Sequence, residues 1–295
     1  MRAMTGGGPF GARGAWHFAA MDLSPNDCCI LNGGDGAWAF APLAEQLSAG
    51  LGVEISATPR RYNYALTWHE DAESSMGESF IPRRAVEIAA DKRLLAQGFA
   101  AAGVPTPETV LCESLALAQR HAELHGDKSW CLKYPTGCGG SGHRMLTATT
   151  VAPPNWPMPF VVQEFIRLDQ PEVFRTYAIG GEIFGWVARR FPPGATLSPW
   201  VAHARGARYC RLEGPPTDAR DAAGMAIRAC GLDDSFGCVD ILCTPDGEWL
   251  VLEVGTDGIV NHVDRELDDP EMERELLARI ARAFWQKSAA WRPQC

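Results

Sequence analysis

Lys133-Tyr134-Pro135-Thr136-Gly137-Cys138-Gly139-Gly140-Ser141-Gly142 is the stretch whose reading decides the fold. A lysine closes the apolar run at 130–133, and four glycines fall in the six positions from Gly137 to Gly142. A loop with few Cβ atoms brings backbone N–H groups close to a polyanion, and the lysine adds positive charge. The order differs from the P-loop, in which the lysine follows the glycines. A ligand-free glycine hairpin fits the same residues, so the stretch needs partners elsewhere in the chain.

The first partner is a pair of acids, Asp240 in Cys-Val-Asp-Ile-Leu and Glu253 in Val-Leu-Glu-Val. Both runs read as strands of one hairpin turning at Asp246-Gly247. A carboxylate amid apolar neighbours is costly unless paired or metal-bound. Two of them across a hairpin suit Mg²⁺, with Mn²⁺ as a substitute; ion pairs with Arg189 or Arg190 are the other reading. The second partner is Gln163-Glu164-Phe165-Ile166, directly after the apolar strand at 160–162. It offers backbone groups to a flat polar edge and an apolar slot beside them. The third is Arg175, Arg189 and Arg190, on strands of a hairpin turning at Gly180-Gly181. Arginines there suit a transferring phosphoryl group. Arg189 and Arg190 point to opposite faces of a strand, so at most one serves a common site.

Outward from these segments the chain reads as alternating elements. Strand 28–31, turn 32–36, helix 38–51 and strand 53–56 form a β-loop-α-β unit, which implies a parallel sheet. The Gly33-Gly34-Asp35-Gly36 turn is either a ligand loop or a tight strand-to-helix connection. Segment 59–84, with Arg60, Arg61, Tyr62, Tyr64, Trp68 and His69, reads as irregular: a cleft border, or a surface loop with packed rings. A helix at 91–102 ends at Gly103, and Pro105 and Pro107 forbid its continuation. Strand 109–112, helix 114–125 and strand 130–133 lead into the glycine loop. Pro153, Pro154, Pro157 and Pro159 mark a subdomain boundary. Helices at 218–230 and 271–285 complete the chain.

Composition excludes several classes. The 295 residues carry a net charge of -9 with no basic block, so a nucleic-acid footprint is missing. Ten cysteines include no C-x-x-C spacing, which argues against zinc and for reduced thiols in a cytoplasmic setting. No apolar run approaches the roughly 18 residues of a membrane span. Residues 1–21 read as a leader without a signal-peptide core, with Met21 as an alternative start.

Together the segments resemble the ATP-grasp superfamily, in particular its glutathione-synthetase and α-L-glutamate-ligase-like branch. The resemblance covers about residues 85–262. It includes Asp91-Lys92, the Gly103-Val104-Pro105-Thr106-Pro107 turn, Lys133 with its loop, the hinge at Gln163–Ile166, and Arg175 to Gly181. Arg190 falls at a later active-site arginine, and Asp240 and Glu253 fall at the metal carboxylates. One departure stands out: where the family's "E-x-N" metal motif has asparagine, this chain has Gly255. Asp257 and Asn261 are the nearby substitutes.

The resemblance implies an α/β and α+β architecture. A small Rossmann-like domain (22–88) precedes two lobes that clamp ATP, 89–155 with the phosphate loop and 156–295 with the hinge and metal carboxylates. It implies that Lys92, Lys133, Gly139, Gly140 and Ser141 hold phosphates, that Gln163, Glu164, Phe165 and Ile166 hold adenine, and that Glu172 holds ribose. Asp240 and Glu253 would bind Mg²⁺, and Arg175 and Arg190 would stabilise an acyl phosphate. The implied activity joins a carboxylate to an amine at the expense of ATP. Small-molecule acid and amine substrates, no membrane partner and a homodimer are the matching expectations. A peptide side chain as substrate, a hydroxyl-accepting small-molecule kinase and a non-catalytic ATP-binding protein are the alternatives.

Overall fold

The computed structural model describes residues 23–69, 71, 77–137, 140–258 and 269–291. Three sheets follow one another along the chain. The first is parallel, in the order β2 (Glu54–Ser56), β1 (Cys28–Asn32), β3 (Tyr62–Thr67), β4 (Glu78–Ser79). The β1–turn–helix–β2 reading holds, with helix α1 (Ala41–Leu51) preceded by a short 3-10 turn, Ala37–Phe40. Segment 59–84 is not irregular throughout: β3 is the strand next to β1, and Tyr62, Asn63 and Tyr64 are all fully buried.

Helices α2 (Arg83–Ala90) and α3 (Lys92–Ala102) come next. Asp91 separates them, and its carboxylate accepts from the Arg93 N–H to cap α3. Gly103 ends α3 in the left-handed conformation at φ 65°, which favours glycine. The Pro105 carbonyl then accepts from the Val251 N–H, which ties this turn to the far end of the chain.

The second sheet runs β5 (Thr109–Cys112), β8 (Phe160–Glu164), β6 (Trp130–Lys133), β7 (Arg144–Leu146), antiparallel throughout, with α4 (Leu115–Leu124) against it. The strand at 160–162 extends through Gln163 and Glu164 and pairs with β5 and β6, so it belongs to the sheet of the glycine loop. This sheet has its own small core of Trp130, Leu132, Trp156, Phe160 and Val162.

The third sheet is antiparallel, in the order β11 (Arg208–Arg211), β10 (Glu182–Arg190), β9 (Glu172–Ile179), β12 (Phe236–Cys243), β13 (Trp249–Gly255). Helix α5 (Thr217–Ala229) covers one face with Ala219, Ala222, Ala223 and Ala226, whose short side chains let the helix lie close to the strands. Helix α6 (Pro270–Ala290) returns to the first sheet, where Phe284 packs edge-on against Tyr62 at 5.0 Å. The first and third sheets thus share one hydrophobic core.

Candidate functional site

The face of the third sheet opposite α5 is the floor of a cavity of about 1160 Å³. Register builds this floor. Asp240 on β12 lies opposite Glu253 on β13 and opposite Arg175 on β9. Two residues along a strand share a face, so Cys238 and Leu242 flank Asp240, and Arg189 joins them from β10. Arg175 donates to both Asp240 oxygens, Nε to Oδ1 at 2.7 Å and Nη2 to Oδ2 at 3.1 Å. Arg189 Nη2 donates to Oδ2 as well. Burial alone would raise the Asp240 carboxyl, but the two guanidinium groups hold it well below the ordinary carboxylate range. Arg189 Nε is buried without a partner among the described residues.

Arg190 is elsewhere. Strand alternation turns it to the other face, where its Nε donates to Glu172 Oε2 across the β9–β10 ladder. The structure therefore brings Arg189, not Arg190, to the carboxylate. Glu172 lines the cavity rim with its carboxylate engaged by Arg190.

Lys133, at the end of β6, projects into the cavity from the opposite wall. It is buried, and its Nζ donates to Gln163 Oε1 at 2.9 Å. Burial pushes its ammonium down, and the negative charge of Glu253 opposes that shift. Lys92 sits behind the loop rather than on the cavity wall. Its Nζ donates to the Gly137 carbonyl and lies 3.4 Å from Glu253 Oε1, while its N–H donates to the Pro135 carbonyl. It thus fastens the start of the loop to the floor. Gly140 and Ser141 line the cavity; Gly139 lies outside the described residues.

The four residues expected at the hinge, Gln163, Glu164, Phe165 and Ile166, all line the cavity. Two of its backbone donors are already used: Glu164 N–H donates to Glu108 O at 2.8 Å and Phe165 N–H to Ser129 O at 2.7 Å. The Glu164 carboxylate faces Lys128 at 3.0 Å. Cys131, Leu242 and Leu252 complete an apolar slot beside the hinge. Sequence reasoning passed over these, although Cys131 and Leu242 each sit two residues from a named site residue and therefore share its strand face.

Further lining residues, Trp200 and His143 among them, escaped the sequence reading. Trp200, on the connection between β10 and β11, meets Phe165 edge-on at 5.3 Å and His143 at 5.5 Å. Its Cβ lies 3.0 Å from where a Gly140 side chain would begin, so Gly140 allows the close approach. No local pattern marks Trp200, because its role depends on a connection folding back over the cavity.

Gly255 has a steric account. It lies opposite Cys238, and a Cβ on it would stand 3.1 Å from the Cys238 sulfur and 3.6 Å from Asp257 Oδ1. Sulfur and carboxylate fill the space that an asparagine side chain would need. Among the described residues no group of three metal-ligating side chains is assembled. Asp240 and Glu253 still fit a hard cation: Mg²⁺ is commonly held by one or two carboxylates, the remainder being water and substrate phosphates.

No protein-family model matches the chain, and no curated protein matches it in sequence. Solved structures do match in fold. The ATP-grasp ligase PsnB complexed with a minimal precursor superposes with a TM-score of 0.62 at 14% identity, over 87% of this chain and 98% of that one. The chain has the ATP-grasp fold. D-alanine–D-alanine ligase from Bacillus anthracis, complexed with ATP, gives 0.63 at 14% identity over 88% and 97%. D-cycloserine synthetase DcsG gives 0.58 at 18% identity over 85% and 95%. The cavity lies between the second and third sheets, and residues of both line it. Among the described residues no helix is long and apolar enough to cross a membrane.

Proposed function

We propose that this chain is an ATP-dependent carboxylate–amine ligase that forms an amide through an acyl phosphate. The observation that carries the reading is the cavity floor: Asp240, Glu253, Arg175 and Arg189 on one sheet face, with Lys133 across from them and Lys92 behind the loop. Four cations against two carboxylates leave positive charge that suits a polyphosphate carrying a divalent metal.

Each group then has a task. The slot of Cys131, Leu242, Leu252, Phe165 and Ile166 takes the adenine. Lys133 and the Gly140–Ser141 backbone take phosphates. Asp240 and Glu253 would hold Mg²⁺, which when bound neutralises phosphate charge and polarises the transferring group. Arg189, whose Nε has no partner among the described residues, and Arg175 face the developing charge on the phosphoryl group and the acid that attacks it. Trp200 and the 191–207 connection exclude water, which would hydrolyse an acyl phosphate. The volume exceeds the roughly 300–1,000 Å³ of a single small-ligand pocket, leaving room for a second substrate. The domain division at residues 88 and 155 belongs to this proposal, with β8 joined to the sheet of the phosphate loop.

A peptide whose side chain supplies the carboxylate is the second reading, and one observation favours it. Trp38 is 84% exposed beside Ala39 and Phe40, which line the cavity. An exposed tryptophan at a cavity mouth suits an extended apolar ligand. The test crosses a panel of acids and short peptides with a panel of amines and reads ADP release. The ligase reading expects release that needs an acid and an amine together. Release driven by a hydroxyl compound alone would instead establish a kinase.

A further inference from the structure

His143 ends the glycine loop, between Gly142 and β7, and lines the cavity. Its Nδ1 is buried and makes no hydrogen bond of good geometry among the described residues, the nearby Ser141 backbone being the one group that favours its protonated form. A buried, unsatisfied nitrogen is costly unless a bound group completes it. The groups around it come from each neighbouring element: Lys133 from β6, Lys92 from α3, Arg205 from the 3-10 turn His203–Arg205, and the Trp200 ring, with the Ser141 backbone in its own loop. Three cations and no carboxylate are thus its principal charged neighbours.

We propose that His143 is a phosphate-binding residue of the nucleotide site, whose Nδ1 donates to a phosphate oxygen and whose imidazole takes up a proton as the nucleotide binds. This rests on the nucleotide reading of the cavity. The physical argument is a reversal of field. Burial, then the charges of Lys133 and Lys92, push the imidazole of the ligand-free protein down to about 3. It is neutral at physiological pH, and in the tautomer that carries its proton on Nε2 the Nδ1 presents a lone pair that repels a phosphate oxygen. A polyphosphate seated on Lys133 cancels its charge and adds its own, which favours the imidazolium. The proton comes from solvent, so binding is tighter at low pH and weakens as pH rises through the raised value of the complex. The loop's backbone donors cannot titrate, so His143 confers a pH response that they do not.

The experiment is calorimetric titration of Mg²⁺-ADP into the full-length protein and into His143→Gln, at several pH values, in two buffers of different ionisation enthalpy. Comparing the proteins removes the nucleotide's own titration. The expected result is greater proton uptake by the wild type, and an affinity that falls about fivefold more than the variant's from pH 6 to pH 8. Equal uptake and equal pH slopes in the two proteins overturn the proposal. Long-range ¹H–¹⁵N spectra of the wild-type imidazole give a reading that needs no variant: its nitrogens shift to the protonated pattern on binding, or the proposal fails. If Mg²⁺-ADP binds neither protein, the nucleotide reading itself falls, which is a distinguishable outcome.

Discussion

Arg189 and Arg190 show how far residue-level reading reaches. Alternation along a strand says that only one of them enters the site. Which one depends on the register against β9, and that is a tertiary fact. Arg189→Gln is therefore expected to lower turnover by about two orders of magnitude, the cost of removing a positioned donor to developing charge. Arg190→Gln, which loses only a rim pair with Glu172, is expected to change it by less than about threefold. Steady-state kinetics on both variants checks the pair. Asp240 was legible for a different reason: an acid in a run of apolar residues has no inexpensive structural role. Of its partners, Arg189 was among the ion-pair candidates in the sequence; Arg175 was not, because the β9–β12 register brings it to the carboxylate. Asp240→Ala leaves both guanidinium groups buried and unpaired. A loss of about 3–5 kcal/mol in denaturant unfolding is expected.

At the scale of elements, strands with plain apolar or alternating patterns were readable, and so were the hairpins turning at Gly180-Gly181 and Asp246-Gly247. Strand β3 was not, because Asn63 interrupts its apolar pattern. Its amide is fully satisfied instead: Nδ2 donates to the carbonyls of Arg60 and Glu78, and Oδ1 accepts from the Arg60 N–H. A buried polar residue that caps a neighbouring loop looks like loop sequence from the chain alone. The β12–β13 ladder gives another prediction. Restoring the family's asparagine, Gly255→Asn, forces a side chain against the Cys238 sulfur and is expected to cost about 1–3 kcal/mol of stability. Adding Cys238→Ala removes that sulfur, so the double variant is expected to lose less than the two single losses combined. Chemical denaturation of the four proteins measures the coupling.

At the scale of the molecule, the order of the segments was the informative signal. Each segment was nonspecific alone; their order limited the chain to one arrangement, which the structure shares with ATP-grasp ligases at 14–18% identity. What order did not show is how the cores divide. The first and third sheets and α6 share one core, while the second sheet has its own. The cavity therefore lies where two separate cores meet. Substrate identity stayed illegible because it depends on cavity shape, to which Ala39, Phe40 and Leu43 around the start of α1, the β10–β11 connection and the 163–166 segment all contribute.

The central claim is a phosphorylated carboxylate. With the acid and amine that support ADP release, and ¹⁸O in the acid's carboxylate, the released phosphate is analysed by mass. The account expects one labelled oxygen in that phosphate, carried over when the amine displaces it. Unlabelled phosphate, or AMP and pyrophosphate as products, would contradict it.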